Sequence, residues 1–61
     1  MEPTATKQKI LDVAEQLFAE KGISATSVRN IVTEAGVNLA AIHYHFGSKE
    51  ALIRDVFARR I

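Results

Sequence analysis

The sequence predicts an all-α domain: a three-helix bundle whose second and third helices form a helix-turn-helix, with a fourth linking helix behind it. Three observations carry this. Apolar residues recur at spacings of three and four, with no strict alternation of the kind a strand would show. Glycines and Ser, Thr and Asn residues of cap type divide the 61 residues into four segments of helical period. The single proline, Pro3, stands ahead of all four.

The first helix is expected over residues 6–21. Ile10, Leu11, Ala14, Leu17 and Phe18 fall on one stripe of a 3.6-residue period, while Asp12, Glu15 and Glu20 lie off it and should face solvent. Thr6 or Thr4 can cap its start, and Gly22 after Lys21 is a left-handed terminator with Ile23 folding back on the last turn. The second helix, 27–35, follows the cap types Thr26 and Ser27 and places Val28, Ile31, Val32 and Ala35 at i, i+3, i+4 and i+7. Gly36 stops it, Val37 is an apolar plug, and Asn38 caps the third helix, 39–45. Ile42 and Phe46 form the inward pair of that segment, with Leu39 one turn before. Gly47 breaks the chain and Ser48 caps the fourth helix, 48–60, with Glu50 in the first turn where the helix dipole favours an acid. Its apolar positions are Ala51, Leu52, Ile53, Val56, Phe57 and Ile61.

Length and composition narrow the function classes. A chain of 61 residues makes one domain and buries only about 60% of the surface its unfolded form exposes. It has no cysteine, so neither disulfides nor thiolate metal sites stabilise it. With 48% apolar and 25% charged residues it has the balance of a folded soluble domain. No apolar run approaches the roughly 20 residues of a membrane helix. The start, Met1-Glu2-Pro3-Thr4-Ala5-Thr6-Lys7, lacks the hydrophobic stretch of a signal peptide, so the expected compartment is the cytoplasm. The net charge of +1 does not by itself argue for nucleic acid, so the placement of charges must decide.

That placement is informative. Two short helices joined by Ala35-Gly36-Val37-Asn38 make a helix-turn-helix signature, and the second helix of such a pair presents its first residues to the DNA major groove. On its outward face Leu39, Ala40 and Ala41 are small or apolar, allowing close approach of the backbone, and His43, Tyr44 and His45 bring hydrogen-bonding groups on short stems. Between residues 27 and 49 the charges are Arg29 and Lys49 against Glu34 alone. A mildly basic segment rich in neutral donors suits phosphate contact combined with base-edge and methyl contact.

From Ile10 to Leu52 the chain resembles the N-terminal DNA-binding domain of the TetR family of bacterial transcriptional regulators. The resemblance lies in Ile10-Leu11-Asp12-Val13-Ala14-Glu15-Gln16-Leu17-Phe18-Ala19-Glu20-Lys21-Gly22, in Ala25-Thr26-Ser27-Val28-Arg29-Asn30-Ile31 and in Ala35-Gly36-Val37. It is most specific in Ile42-His43-Tyr44-His45-Phe46-Gly47-Ser48-Lys49-Glu50-Ala51-Leu52. It implies a repressor that reads a palindromic double-stranded DNA operator. Ser27, Val28 and Arg29 would open the helix that meets the backbone and groove edge. Asn38, Leu39, Ala40 and Ala41 would face the groove. His43, Tyr44 and His45 would make further phosphate or base contacts, and Lys49 would grip a phosphate. The resemblance also implies homodimerisation and a small-molecule effector, both through a C-terminal domain absent from this chain. Half-sites would lie about one helical turn, 34–36 Å, or a multiple apart. The 61 residues alone would then bind weakly as a monomer. Leu39, Ala40, Ala41 and His43 depart from the family's frequent lysine, glycine, threonine or serine, and tyrosine. That shifts readout towards thymine methyls or DNA shape, and makes the His43 contact pH-sensitive if it titrates.

Other chemistries find less support. His43 and His45 are two apart and point in different directions on a helix, so no metal site is expected. Gly47-Ser48-Lys49 is not a phosphate loop, because Ile42 stands where the nucleotide motif requires glycine, and no cofactor is expected. No nucleophile–base pair suggests an enzyme. Phe18, Phe46 and Phe57 read as core, and His45 can pack beside Phe46 with one ring nitrogen on the backbone. Lys7 and Lys9 can touch phosphates or stand in solvent, and Arg54, Arg59 and Arg60 with Asp55 read as a solvated face. The rival from another class is a small helical protein-interaction module that uses exposed apolar surface on helix four: Leu52, Ile53, Val56 and Phe57 cover more than one side of it.

Overall fold

The computed structural model describes residues 3–59, with side chains from Ala5 onward. Four helices follow one another: α1 (Pro3–Lys21), α2 (Val28–Ala35), α3 (Leu39–His45) and α4 (Lys49–Ala58). No strand occurs among the described residues. The α1 helix starts at Pro3 rather than at Thr6, which lies inside it. Proline suits that place, since its ring presets a helical φ and the N–H it lacks would have had no helical partner. The side chain of Thr4 and the apolar position Ile61 lie outside the described residues.

The remaining boundaries are local hydrogen-bond chemistry. The Ser27 hydroxyl accepts from the Asn30 N–H at 3.0 Å while the Asn30 side chain accepts from the Ser27 N–H at 3.4 Å, a reciprocal cap on α2. Gly36 closes α2 at φ +70°, a left-handed conformation that costs a β-carbon-bearing residue about 1 kcal/mol or more. The Val37 N–H then donates back to the Val32 carbonyl at 3.0 Å, which turns the chain into α3. Asn38 Oδ1 accepts from the Ala40 N–H at 3.0 Å, and Ser48 Oγ from the Ala51 N–H at 3.1 Å. Thr26, the other cap type ahead of α2, does something else. It is fully buried, and its hydroxyl donates to the carbonyls of Gly22 at 2.8 Å and Leu17 at 3.3 Å, tying the α1–α2 turn to the end of α1.

The core draws on all four helices. Ile10, Leu11 and Ala14 of α1 meet Ile31, Val32 and Ala35 of α2, Ile42 of α3, and Leu52 and Val56 of α4, all buried. Leu17, Phe18, Val37 and Phe46 pack half-buried around them. Phe57 is not core: it is 53% exposed, because Leu52 and Val56 occupy the inner side of α4 and leave position 57 on its flank. Beside it Phe18, Ala19, Ile23 and Val56 line a shallow apolar groove of about 240 Å³ between α1 and α4, with Glu15 at its edge.

Arg59 is exposed, as expected of that face, but its side chain is tied to α1. At the end of α4 its guanidinium donates to Gln8 Oε1 at 3.0 Å, Asp12 Oδ1 at 2.8 Å and Glu15 Oε1 at 3.0 Å. These acceptors stand at i, i+4 and i+7 on α1, so the planar fork spans two turns of that helix. Desolvation pulls the guanidinium pKa down, but the hydrogen bonds and charges of Asp12 and Glu15 outweigh it and leave the value raised. Because Asp12 remains largely in solvent, screening keeps the gain small, about 1 kcal/mol. Arg59→Met is therefore expected to lower the melting temperature by about 4–8 °C at low salt. In about 1 M salt, where the screening length is about 3 Å, most of that difference should vanish. Equal melting of variant and wild type at low salt would show that the cluster contributes nothing.

Candidate nucleic-acid interface

The seven residues of α3 divide cleanly. Ile42 is buried, and Ala41, His45 and the following Phe46 are half-buried. Ala40, His43 and Tyr44, at i, i+3 and i+4, share the opposite side and are exposed, Tyr44 at 78%; Leu39, next to Ala40, is 44% exposed. The outward surface is thus a small apolar opening followed by an imidazole and a phenol, all on one rigid rod.

Rings line up along the end of that rod. Tyr44 and His45 meet edge to face with centroids 4.9 Å apart, and His45 lies 6.2 Å from Phe46. Lys7 Nζ of α1 sits 5.8 Å from the Phe46 centroid, within reach of the ring's negative face. Lys7 thus rests on the end of α3, whereas Lys9 is exposed.

The other expected site residues are less uniform. Ser27 and Arg29 are exposed at the start of α2, and the Ser27 hydroxyl keeps its proton free to donate while its oxygen caps the helix. Asn38 is exposed, but its carbonyl oxygen is committed to the Ala40 N–H, so what it can offer a base is its amide N–H pair. Val28 and Ala41 do not face outward: both pack half-buried against the core, Val28 because it stands on the stripe that α2 buries and Ala41 because it adjoins the buried Ile42. Lys49 is half-buried and its ammonium donates to the Ile23 carbonyl at 3.1 Å. Sequence reasoning gave no sign of this bond, whose partners are 26 residues apart with no motif linking them. Among the described residues no group of three or more His, Cys, Asp or Glu side chains is placed to hold a metal ion, and no helix is long and apolar enough to cross a membrane.

The family model of bacterial regulatory proteins of the tetR family matches residues 10–56, from the first buried residue of α1 to the last of α4. The chain belongs to the TetR family. Among its TetR relatives, the transcriptional repressor KstR2 of Rhodococcus jostii is 40% identical over 50 residues, covering 82% of this chain and 24% of that protein. The transcriptional regulator AcrR of Shigella flexneri is 43% identical over 56 residues, 92% of this chain and 26% of AcrR. The probable transcriptional regulator YttP of Bacillus subtilis is 49% identical over 52 residues, 85% of this chain and 25% of YttP. The chain spans about a quarter of the length of these TetR relatives.

Proposed function

We propose that this chain is the DNA-reading domain of a TetR-type transcriptional repressor, working in the cytoplasm on double-stranded DNA with α3 in the major groove. The observation that carries it is the outward side of α3, where Ala40, His43 and Tyr44 stand clear of a helix whose other side is seated in the core. With Leu39 and the Asn38 amide they form the surface that approaches base edges. Ala40 and Leu39 supply methyl contact, and His43 and Tyr44 supply donors. Ser27 and Arg29, exposed at the start of α2, would meet the phosphate backbone. Val28 and Ala41 support the readers from beneath, and His45 steadies Tyr44 through its ring contact. Dimerisation on a palindrome and control by a small molecule belong, in this proposal, to sequence outside these 61 residues.

Titration of duplex binding against salt tests the proposal. Each phosphate contacted should contribute about −0.9 to the slope of log affinity against log salt, so two or three contacts give a slope near −2 to −3. A flat response would favour a protein-interaction module built on helix four, a second reading for which the apolar groove beside Phe57 speaks.

A further inference from the structure

The outward side of α3 is short of the side chains that usually read bases. From Leu39 to Ala41 no side chain carries a polar group, and the whole helix has no arginine, lysine, aspartate, glutamate or glutamine. Direct readout in the major groove uses few pairings. Guanine is met by an arginine or lysine fork, cytosine by a carboxylate, adenine by an asparagine or glutamine amide, and thymine by an apolar group against its C5 methyl. The first two sets of readers are missing from α3, whereas apolar groups stand bare on it.

Leu39 keeps 44% of its surface in solvent, and Ala40 beside it is exposed. Both gain by moving that surface out of water, and on a base edge only the thymine methyl offers them an apolar partner. Asn38 adds a complement. Its Oδ1 accepts from the Ala40 N–H at 3.0 Å, which holds the amide beside these two residues, and its own N–H pair has no partner among the described residues. A fixed donor next to bare aliphatic groups matches the edge of thymine, whose O4 acceptor and C5 methyl are neighbours. We infer that Leu39 and Ala40 are specificity-determining residues that select thymine through its C5 methyl, with the Asn38 amide donating to thymine O4. The inference rests on the DNA-binding reading and goes beyond it by naming the base that this part of α3 selects.

Deleting single methyl groups from the DNA tests it. Duplexes that the chain captures from a random-sequence pool are sequenced, and the most enriched one is resynthesised with deoxyuridine in place of thymidine, one position at a time. Uracil keeps the pairing and the O4 acceptor and lacks only the methyl. At one or more positions the affinity of the wild-type chain should fall about fourfold, the factor that corresponds to one buried methylene-sized group. At each such position Leu39→Ala or Ala40→Gly should bring the thymine-to-uracil affinity ratio to about one. The ratio compares two duplexes on one variant, so a variant that is partly unfolded still reports it. Tyr44→Phe, which deletes a donor on the same side of α3, should weaken both duplexes alike and leave the ratio at about fourfold. Three results overturn the methyl readers while the DNA-binding reading stands: uracil tolerated at every position by the wild type, a ratio that survives both Leu39→Ala and Ala40→Gly, or a ratio that Tyr44→Phe also abolishes. Should no duplex be enriched from the pool, the DNA-binding reading fails and the inference falls with it.

Discussion

Ile42→Ala should remove a large part of the domain's stability. Ile42 is 1% exposed and is the one fully buried side chain of α3, so it is the main apolar tie between the recognition helix and the core. Truncating a buried isoleucine costs about 2–5 kcal/mol, the lost transfer energy plus the cavity left behind. A domain of 61 residues, at roughly 0.05–0.15 kcal/mol per residue, has only about 3–9 kcal/mol in total. The substitution thus removes from roughly a quarter of the stability to all of it. Followed by far-UV circular dichroism, the melting temperature should drop by at least about 8 °C, given about 4–8 °C per kcal/mol in a domain of this size. Leu39→Ala, one turn earlier but 44% exposed, should cost under about 1 kcal/mol. If Ile42→Ala melted like Leu39→Ala, α3 would be docked by its flanking turns rather than by this side chain.

The contrast between those two residues shows what the sequence makes legible. Ile42 and Phe46 announce an inward side by spacing alone, which leaves Leu39, Ala40, Ala41, His43, Tyr44 and His45 outward; of these the fold exposes Leu39, Ala40, His43 and Tyr44 and half-buries Ala41 and His45. Helix boundaries read equally well wherever their chemistry closes within three or four residues. Ser27 with Asn30, Asn38 with Ala40, and Ser48 with Ala51 are bonds between near neighbours. Two adjacent cap types defeat the same logic: only the fold shows that Ser27 caps α2 while Thr26 turns inward to Gly22. The spacing of Val28 from Ile31 and Val32 already places it inward, against the groove-edge role the resemblance implies, whereas Ala41 sits at the border of the buried stripe of α3, where periodicity alone does not say which way a small side chain turns. The contacts that join one helix to another were not legible at all. Lys7 on Phe46, Lys49 on Ile23, and Arg59 on Gln8, Asp12 and Glu15 link residues far apart in the chain, and charge alone gives each cation many equally good partners. Phe57 follows the apolar pattern of α4 yet stands half in solvent, because a narrow helix pair can bury only one side of it.

Ala40→Glu should abolish duplex binding while leaving the fold intact. Ala40 is exposed near the start of α3, where an acid is favoured by the helix dipole, so stability should stay within about 0.5 kcal/mol of wild type or rise slightly. Against DNA the same carboxylate faces phosphates and acceptor-rich base edges. Like-charge juxtaposition of this kind costs several kcal/mol, and about 3 kcal/mol corresponds to at least a hundredfold loss of affinity. The control is Ala19→Glu, which brings the formal charge from +1 to 0 as Ala40→Glu does, but on the exposed surface of α1 at the apolar groove. If net charge governed binding, the two variants would weaken it equally, and α3 would lose its claim to the groove of DNA. If α3 enters the major groove, fluorescence anisotropy on a labelled duplex should show near-wild-type binding for Ala19→Glu and none for Ala40→Glu. A protein-interaction module reverses the pattern: Ala19→Glu puts a charge into its docking groove and destroys partner binding, and Ala40→Glu changes nothing.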